Sequence, residues 1–143
     1  MFASIPSFGL GTFRLQGQTV IDSVATGLDV GYRHIDTAQI YGNEAEVGQA
    51  IAASGVARDD IFVTTKVWTD SLTADTLVPS LRASLERLRL GRVDLALIHW
   101  PSPGDAVPVA ETLQALADAQ EQGLADRIGV SNFTVAHLQQ AID

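Results

Sequence analysis

The sequence predicts an α/β protein in which parallel strands alternate with helices. Five strand-like segments begin about 30 residues apart, which is the length of a repeated strand-and-helix unit. The segment 93–100, V-D-L-A-L-I-H-W, is almost continuously apolar, as is typical of a strand buried on both faces of a parallel sheet. Strands and helices in this alternation form either a closed barrel or a doubly wound open sheet, and the pattern alone leaves both open.

The composition is that of one globular domain. Of the 143 residues, 46% are hydrophobic and 18% are charged, and the chain is long enough to bury a core. The net charge of -8 argues against a nucleic-acid partner, because such a surface needs clustered Lys and Arg. The first residues lack the pattern of a signal peptide, and no apolar run is long enough to cross a membrane. We therefore expect a single cytoplasmic domain over residues 1–143, with no membrane partner.

The first strand is predicted over residues 5–13, with Gly9 and Gly11 near its end. Two glycines at this spacing are part of the Rossmann dinucleotide-binding fingerprint, but Arg14 stands where the third glycine would be. The segment fits better as a strand end that lets a ligand approach the backbone.

Helices are predicted between the strands from apolar residues that recur three and four positions apart. The first helix spans about 19–31, with Thr19 and Asp22 as a capping pair, and the second begins with Asn43 as its N-cap and ends near Ser54. The second strand is predicted over 34–37. The other predicted strands are 61–67, 93–100 and 128–132. Of the remaining helices, the third begins near residue 76, the fourth lies between Pro101 and Gly123, and the fifth covers 134–143.

Four polar side chains occur where predicted strands end. Asp36 and Tyr41 follow the second strand, Lys66 lies on the third, and His99 ends the fourth. Each alone has a structural explanation, such as an ion pair between Lys66 and Asp36 or a hydrogen-bonded interior histidine. Because the carboxyl ends of parallel strands meet at one rim, the four together favour a functional site.

Tyrosine, lysine, aspartate and histidine in one site suit the protonation of a carbonyl oxygen. The ordinary pKa of a tyrosine, about 10, is too high for general-acid work near neutrality, and a nearby lysine cation lowers such a pKa. A carboxylate holds the lysine, and the histidine can hydrogen-bond the same substrate oxygen. While the oxygen is protonated, hydride from a nicotinamide could add to the carbon.

The same residues are compatible with other chemistries. Lys66 could be the Schiff-base nucleophile of an aldolase. His34 and Asp36 could ligate a metal, but too few other histidines are present to complete a site, so no metal is expected. Ser131, His99 and Asp36 could form a triad, although no G-x-S-x-G turn is present.

Four motifs resemble those of the aldo-keto reductase family, in the same order and spacing. They are G-Y-R-H-I-D-T-A at 31–38, T-T-K-V-W at 64–68, L-I-H-W-P at 97–101 and I-G-V-S-N-F at 128–133. The resemblance covers the whole chain. The short N-terminal segment and H-W-P-S-P at 99–103 look most similar to the bacterial 2,5-diketo-D-gluconate reductase B branch.

The resemblance implies a (β/α)8 TIM barrel that uses NADPH without a Rossmann domain to reduce a small-molecule aldehyde, ketone, dicarbonyl or keto-sugar acid. It implies Tyr41 as the proton donor, Lys66 and Asp36 as its tuning pair, and His99 as the residue that orients the carbonyl. It also implies that Thr12 and Asp36 lie near the nicotinamide ribose and that Ser131 and Asn132 hydrogen-bond the carboxamide. The residues that it implies for the substrate pocket are Trp68, Trp100 and His99.

Length sets a further expectation. An eight-stranded barrel runs to about 250 residues, whereas this chain offers five of the eight units. We expect it to be the N-terminal part of such a barrel, ending in the fifth helix and monomeric at full length, or a chain whose copies associate. A non-catalytic fragment or a nicotinamide-binding module is the remaining alternative.

Overall fold

A computed structural model describes residues 4–142, in which five strands alternate with five helices. Short 3₁₀ turns at Gln39–Tyr41 and Arg58–Asp60 precede the second helix and the third strand. In chain order the strands and helices are β1 (Leu10–Gly11), α1 (Gln18–Asp29), β2 (His34–Asp36), α2 (Glu44–Ala53), β3 (Phe62–Val67), α3 (Leu77–Leu88), β4 (Val93–Ile98), α4 (Val109–Glu121), β5 (Ala125–Val130) and α5 (Val135–Ile142).

All five strands are parallel and lie side by side in the order β1-β2-β3-β4-β5. A doubly wound sheet reverses its strand order at a switch point, and this sheet has no such reversal. Successive helices from α1 to α4 also contact one another, so they form one layer on one face of the sheet. The predicted α/β class is confirmed, and the strand order is that of a barrel wall.

The core lies between the sheet and this helix layer. Alternate strand residues point to opposite faces. Ile35, Val63 and Ala96 face the helices and join the main apolar cluster, together with helix residues such as Leu81 and Leu116. The other sheet face carries the side chains that a barrel would enclose.

One predicted cap is wrong, and the other residue holds its predicted cap position without a capping hydrogen bond from its side chain. The N-cap of α1 is Gly17, with no side-chain cap, and Asp22 instead accepts a hydrogen bond from Gln18 Nε2 at 2.7 Å. Asn43 holds the N-cap position of α2, but its side chain turns into the protein. There it donates to the carbonyls of Thr12 and Leu15 and accepts from Thr37, because three buried backbone and hydroxyl groups need a partner.

Several strand boundaries also differ from the prediction. β5 begins at Ala125, three residues before the predicted start, and β1 is confined to Leu10–Gly11. β4 and β5 end at Ile98 and Val130, each two residues before the predicted end. Ile5 and Phe8, within the predicted first strand, are exposed and add no strand pairing. The predicted last helix is confirmed as α5, and its expected final residue, Asp143, lies outside the described residues, as do residues 1–3. Within residues 4–142, no helix combines the length and apolarity needed to span a membrane.

Candidate active site

The carboxyl ends of β2, β3 and β4 bring the predicted polar residues to one rim of the sheet. Asp36 is the last residue of β2 and pairs in register with Thr64. Lys66 lies two residues further along β3, opposite Leu97 of β4. Since side chains two residues apart share a face, Asp36 and Lys66 both point to the face away from the helices. His99 follows β4 directly, so its side chain belongs to that face as well.

The Lys66 ammonium is buried and surrounded by acceptors. Nζ lies 2.7 Å from Asp36 Oδ2, 2.9 Å from the Thr37 carbonyl and 3.4 Å from Tyr41 Oη. An ammonium has three hydrogens to donate, and each of these oxygens can accept one. Lys66 is also the only lysine in the sequence. The cation is therefore held by a charged and a neutral partner while it contacts the phenol.

Tyr41 is presented by the 3₁₀ turn Gln39–Tyr41, which follows β2. Its carbonyl accepts a hydrogen bond of 2.9 Å from Gln16 Nε2. Its ring lies between Phe13, with centroids 5.1 Å apart, and His99, with centroids 5.7 Å apart. These contacts place the hydroxyl beside Lys66.

His99 is nine-tenths buried, with 9% of its surface exposed. Its ring packs edge-on against Trp68 at a centroid distance of 5.3 Å. Burial, assisted by the Lys66 cation and opposed by Asp36, lowers the pKa of His99 below its ordinary value of 6.5. Nδ1 is buried and has no hydrogen-bond partner among residues 4–142. The imidazole is thus neutral near pH 7 and can hydrogen-bond a bound molecule.

A cavity of about 380 Å³ opens at this rim. The predicted pocket residues Trp68, Trp100 and His99 all line it, and so does Tyr41. The remaining lining residues are Phe13, Ile40 and Asn132. Its wall is mostly aromatic, and the phenol and imidazole are among its few polar groups.

The predicted cofactor residues reach the same rim from its two ends. Thr12 is fully buried, and its hydroxyl and amide both donate to the Asp36 carbonyl, at 3.2 and 3.0 Å. Ser131 follows β5, and its amide donates to the Ile98 carbonyl. Asn132 has a left-handed φ of 60° and donates from Nδ2 to the His99 carbonyl at 2.8 Å. Thr12 and Asn132 thereby brace the backbone of Asp36 and His99.

The alternative constellations have other partners. His34 Nε2 lies 2.9 Å from Thr64 Oγ1, and burial lowers the pKa of His34 despite the nearby Asp36. The Ser131 hydroxyl accepts a hydrogen bond from Asn132, and Asp36 is paired with Lys66. In the described part of the chain, no group of three or more His, Cys, Asp or Glu could hold a metal ion.

Sequence reasoning missed three residues of this rim. Phe13 and Ile40 line the cavity although both lie in loops, where apolar residues carry no periodic signal. Gln39 is bound through both ends of its side-chain amide, with Oε1 accepting from the Trp68 amide at 2.8 Å. Its place next to the H-I-D-T-A motif was the only available indication.

Known proteins are similar to this chain in sequence and in fold. The profile described as the Aldo/keto reductase family matches residues 7–143. Over 139 residues the chain is 60% identical to "Methylglyoxal reductase DkgB" of Salmonella typhi, a match that covers 97% of this chain and 52% of that protein.

Solved structures agree with the sequence matches. A crystal structure assigned as a candidate 2,5-diketo-D-gluconic acid reductase B superposes with a TM-score of 0.91 at 48% identity, over 96% of this chain and 48% of that chain. The Bombyx mori aldo-keto reductase in complex with NADP superposes with a TM-score of 0.88 at 42% identity, over 96% of this chain and 50% of that one. The chain spans about half the length of the curated relatives and solved structures it matches.

Proposed function

Because this chain belongs to the aldo/keto reductase family, we propose that it carries the proton-donating site of an NADPH-dependent carbonyl reductase. The family prediction is confirmed, and so is the fold as part of a (β/α)8 barrel. The family acts on small-molecule carbonyl compounds with NADP(H), and the activity of this chain is our inference from its site.

One observation carries the proposal: Lys66 Nζ contacts both the Asp36 carboxylate and the Tyr41 hydroxyl. When Tyr41 gives its proton to a carbonyl oxygen, the phenolate that forms lies beside a fixed cation. Asp36 keeps that cation in place and balances its charge. The arrangement favours the state that develops during proton transfer, which is the requirement for general-acid catalysis.

His99 orients the substrate in this proposal. Its ring lies next to that of Tyr41, so an oxygen at the bottom of the cavity can accept hydrogen bonds from both side chains. The lowered pKa keeps the imidazole neutral, and the phenol remains the stronger acid partner for the oxygen. Trp68 and Trp100 would hold the apolar part of the substrate and exclude water.

The rim fits a nicotinamide cofactor. The unpartnered Nδ1 of His99 and the side-chain oxygen of Asn132, whose Nδ2 already donates to the His99 carbonyl and the Ser131 hydroxyl, are polar groups of the cavity residues that a bound molecule could pair. Thr12 and Asp36 would lie beside the ribose, and Ser131 and Asn132 would hydrogen-bond the carboxamide. When bound, NADPH supplies the hydride that adds to the carbonyl carbon.

Small aldehydes and dicarbonyls are the proposed substrates, with ketones and keto-sugar acids in the wider class. The Salmonella relative is a methylglyoxal reductase, and methylglyoxal fits readily into a cavity of about 380 Å³. The aldolase alternative is weaker, because Lys66 Nζ already contacts three acceptors and would have to leave them to attack a carbonyl carbon.

The test compares Tyr41→Phe with Tyr32→Phe. Tyr32 is the only other tyrosine and lies before β2, at the opposite end of the strand from the site. NADPH oxidation with methylglyoxal is followed for this chain and for a chain extended to the length of its relatives. We expect Tyr41→Phe to lower kcat by about 10²- to 10⁴-fold and Tyr32→Phe to keep the wild-type rate.

Two outcomes would contradict the proposal. If Tyr41→Phe kept the wild-type rate, another group would be the acid. If neither chain length oxidised NADPH with any small carbonyl, the reductase assignment would fail, and NADPH binding measured by fluorescence would then separate a binding module from an inert fragment.

A further inference from the structure

A ring of side-chain hydrogen bonds lies on the helix-facing side of the strand that carries Lys66. Gln39 Oε1 accepts from the Trp68 amide at 2.8 Å, and its Nε2 donates to Ser84 Oγ at 3.0 Å. Arg87 donates to the same Ser84 hydroxyl and, through two nitrogens, to Glu44 Oε2 at 2.8 and 2.6 Å. Glu44 Oε1 accepts from Thr65 Oγ1, which returns the ring to β3. We call Trp68, Gln39, Ser84, Arg87, Glu44 and Thr65 the hydrogen-bond ring.

The ring brackets two residues of the proposed site. Thr65 in β3 and Trp68 just after its end lie on either side of Lys66 in the sequence, and Gln39 and Glu44 lie on either side of Tyr41. The ring therefore ties the strand segment that carries the ammonium to the turn that carries the phenol. Helix α3, through Ser84 and Arg87, is the common anchor.

The ring is buried on its strand side. Ser84 and Thr65 are fully buried and Glu44 is 1% exposed, whereas the Arg87 side chain is 44% exposed. Hydrogen bonds to a charged group are strong, and those shielded from water are stronger still. Gln39 also supplies a hydrogen bond that the sheet lacks. Because β2 ends at Asp36, no strand residue that the structure describes accepts from the Trp68 amide, and the side-chain oxygen of Gln39 accepts that hydrogen bond instead.

We propose that Gln39 is a positioning residue, which acts through the hydrogen-bond ring to set the approach of Lys66 to Tyr41. This inference rests on the proposed function for its catalytic consequence and on geometry alone for its effect on Lys66. A rigid ring keeps Nζ between Asp36 and the phenol. Without the Gln39 amide, the link between the turn and Trp68 is lost, and the contact of Thr65 with Glu44 is the ring's remaining link to β3.

The first arm of the test needs no activity. Lys66 is the only lysine, so its acylation by a small amine-reactive reagent can be followed by mass spectrometry of one peptide. Gln39→Met keeps the length of the side chain and removes its hydrogen bonds to Trp68 and Ser84, together with the contacts of Nε2 with the Ser80 carbonyl and hydroxyl. We expect it to speed Lys66 acylation about tenfold, and Ser84→Ala to act in the same direction.

The matched control is Leu116→Ala. Leu116 is fully buried on α4 and is not a member of the ring, so its truncation lowers stability without touching Gln39. Gln114→Met, on the exposed surface of α4, controls for the amide-to-thioether change itself. If Gln39→Met and Ser84→Ala acylate no faster than Leu116→Ala, the positioning role is overturned.

The second arm uses NADPH oxidation. We expect Gln39→Met to lower kcat about tenfold, because a small displacement of the reacting groups slows the chemical step. KM should stay within about twofold of the wild-type value. The solvent deuterium isotope effect on kcat should rise, since proton transfer from Tyr41 becomes slower. Wild-type kcat and isotope effect in Gln39→Met would contradict the inference.

The two arms separate the inference from the function. Faster acylation in a protein that never turns over would support the positioning of Lys66 and reject the reductase. Turnover that depends on Tyr41 but not on Gln39, with unchanged acylation, would support the reductase and reject the positioning.

Discussion

Gly48 of α2 lies directly against the backbone of Leu88 at the end of α3. A β-carbon placed on Gly48 would overlap the Leu88 carbonyl and lie 2.7 Å from its Cα. Backbone atoms cannot move aside as a flexible side chain can, so only glycine allows the two helices to approach this closely. The contact holds together the two helices that supply Glu44 and Arg87.

Gly48→Ala should therefore destabilise the protein by about 2 kcal/mol, because the overpacking outweighs the gain of about 1 kcal/mol in helix propensity. The free energy of unfolding is measured with urea. Gly91→Ala is the control, since a β-carbon there meets nothing within 4 Å. Unchanged or increased stability in Gly48→Ala would show that the helices can separate without loss.

Arg87→Met tests the buried end of the hydrogen-bond ring. The Glu44 carboxylate is 1% exposed and loses its cation in this variant, so we expect a loss of about 3 kcal/mol in the free energy of unfolding. Glu44→Gln in the same protein removes the unpaired charge and should recover part of that loss. The control is Arg82, which lies on α3 like Arg87 and makes an exposed hydrogen bond to Gln122 after α4. Arg82→Met should change the free energy of unfolding by less than about 0.5 kcal/mol.

The lowered pKa values of two histidines should make the free energy of unfolding depend on pH. Burial lowers the pKa of both His34 and His99 below 6.5. Just below that pH the unfolded chain binds more protons than the folded one, so stability is complete above 6.5 and falls as the pH drops toward the folded pKa values. Urea unfolding between about pH 5 and 7 measures the slope. His99→Gln should flatten it, and the double variant with His34→Gln should flatten it further; an unchanged slope in the double variant would assign the dependence to the carboxylates.

Borohydride trapping distinguishes the reductase from the aldolase. Because Lys66 is the only lysine, a Schiff base trapped on a side chain could form at no other residue. We expect treatment with methylglyoxal and borohydride to leave Lys66 unlabelled, with any label on the N-terminal amine. A labelled Lys66 peptide, absent in Lys66→Met, would instead favour the aldolase.

The sequence was sufficient to predict which strand ends carry the polar groups. The strands of 61–67 and 93–100 are long apolar runs, so Lys66 and His99 stand out as exceptions at their ends. Parallel pairing then requires that both lie at one rim with Asp36. Strand order was not predictable from the pattern, because barrels and doubly wound sheets share the same alternation.

Local polar contacts were the part that sequence could not supply. Gly17, and not Thr19, is the N-cap of α1. Asn43 is the N-cap of α2 as predicted, but its side chain hydrogen-bonds the carbonyls of Thr12 and Leu15 instead of the helix amides. The hydrogen-bond ring could not be predicted from the sequence for a related reason. Ser84 and Arg87 belong to the polar side of α3, where the apolar stripe of the helix says nothing about which polar residues are buried.

The sequential order of the strands bears on how the protein is made. Every sheet pairing joins neighbouring units of the chain, so each strand can add to the edge left by the one before it as synthesis proceeds. Asp36 and Tyr41 come first, Lys66 docks against them with β3, and His99 follows β4. All four residues of the proposed site have therefore been synthesised once residue 99 has been added, before β5.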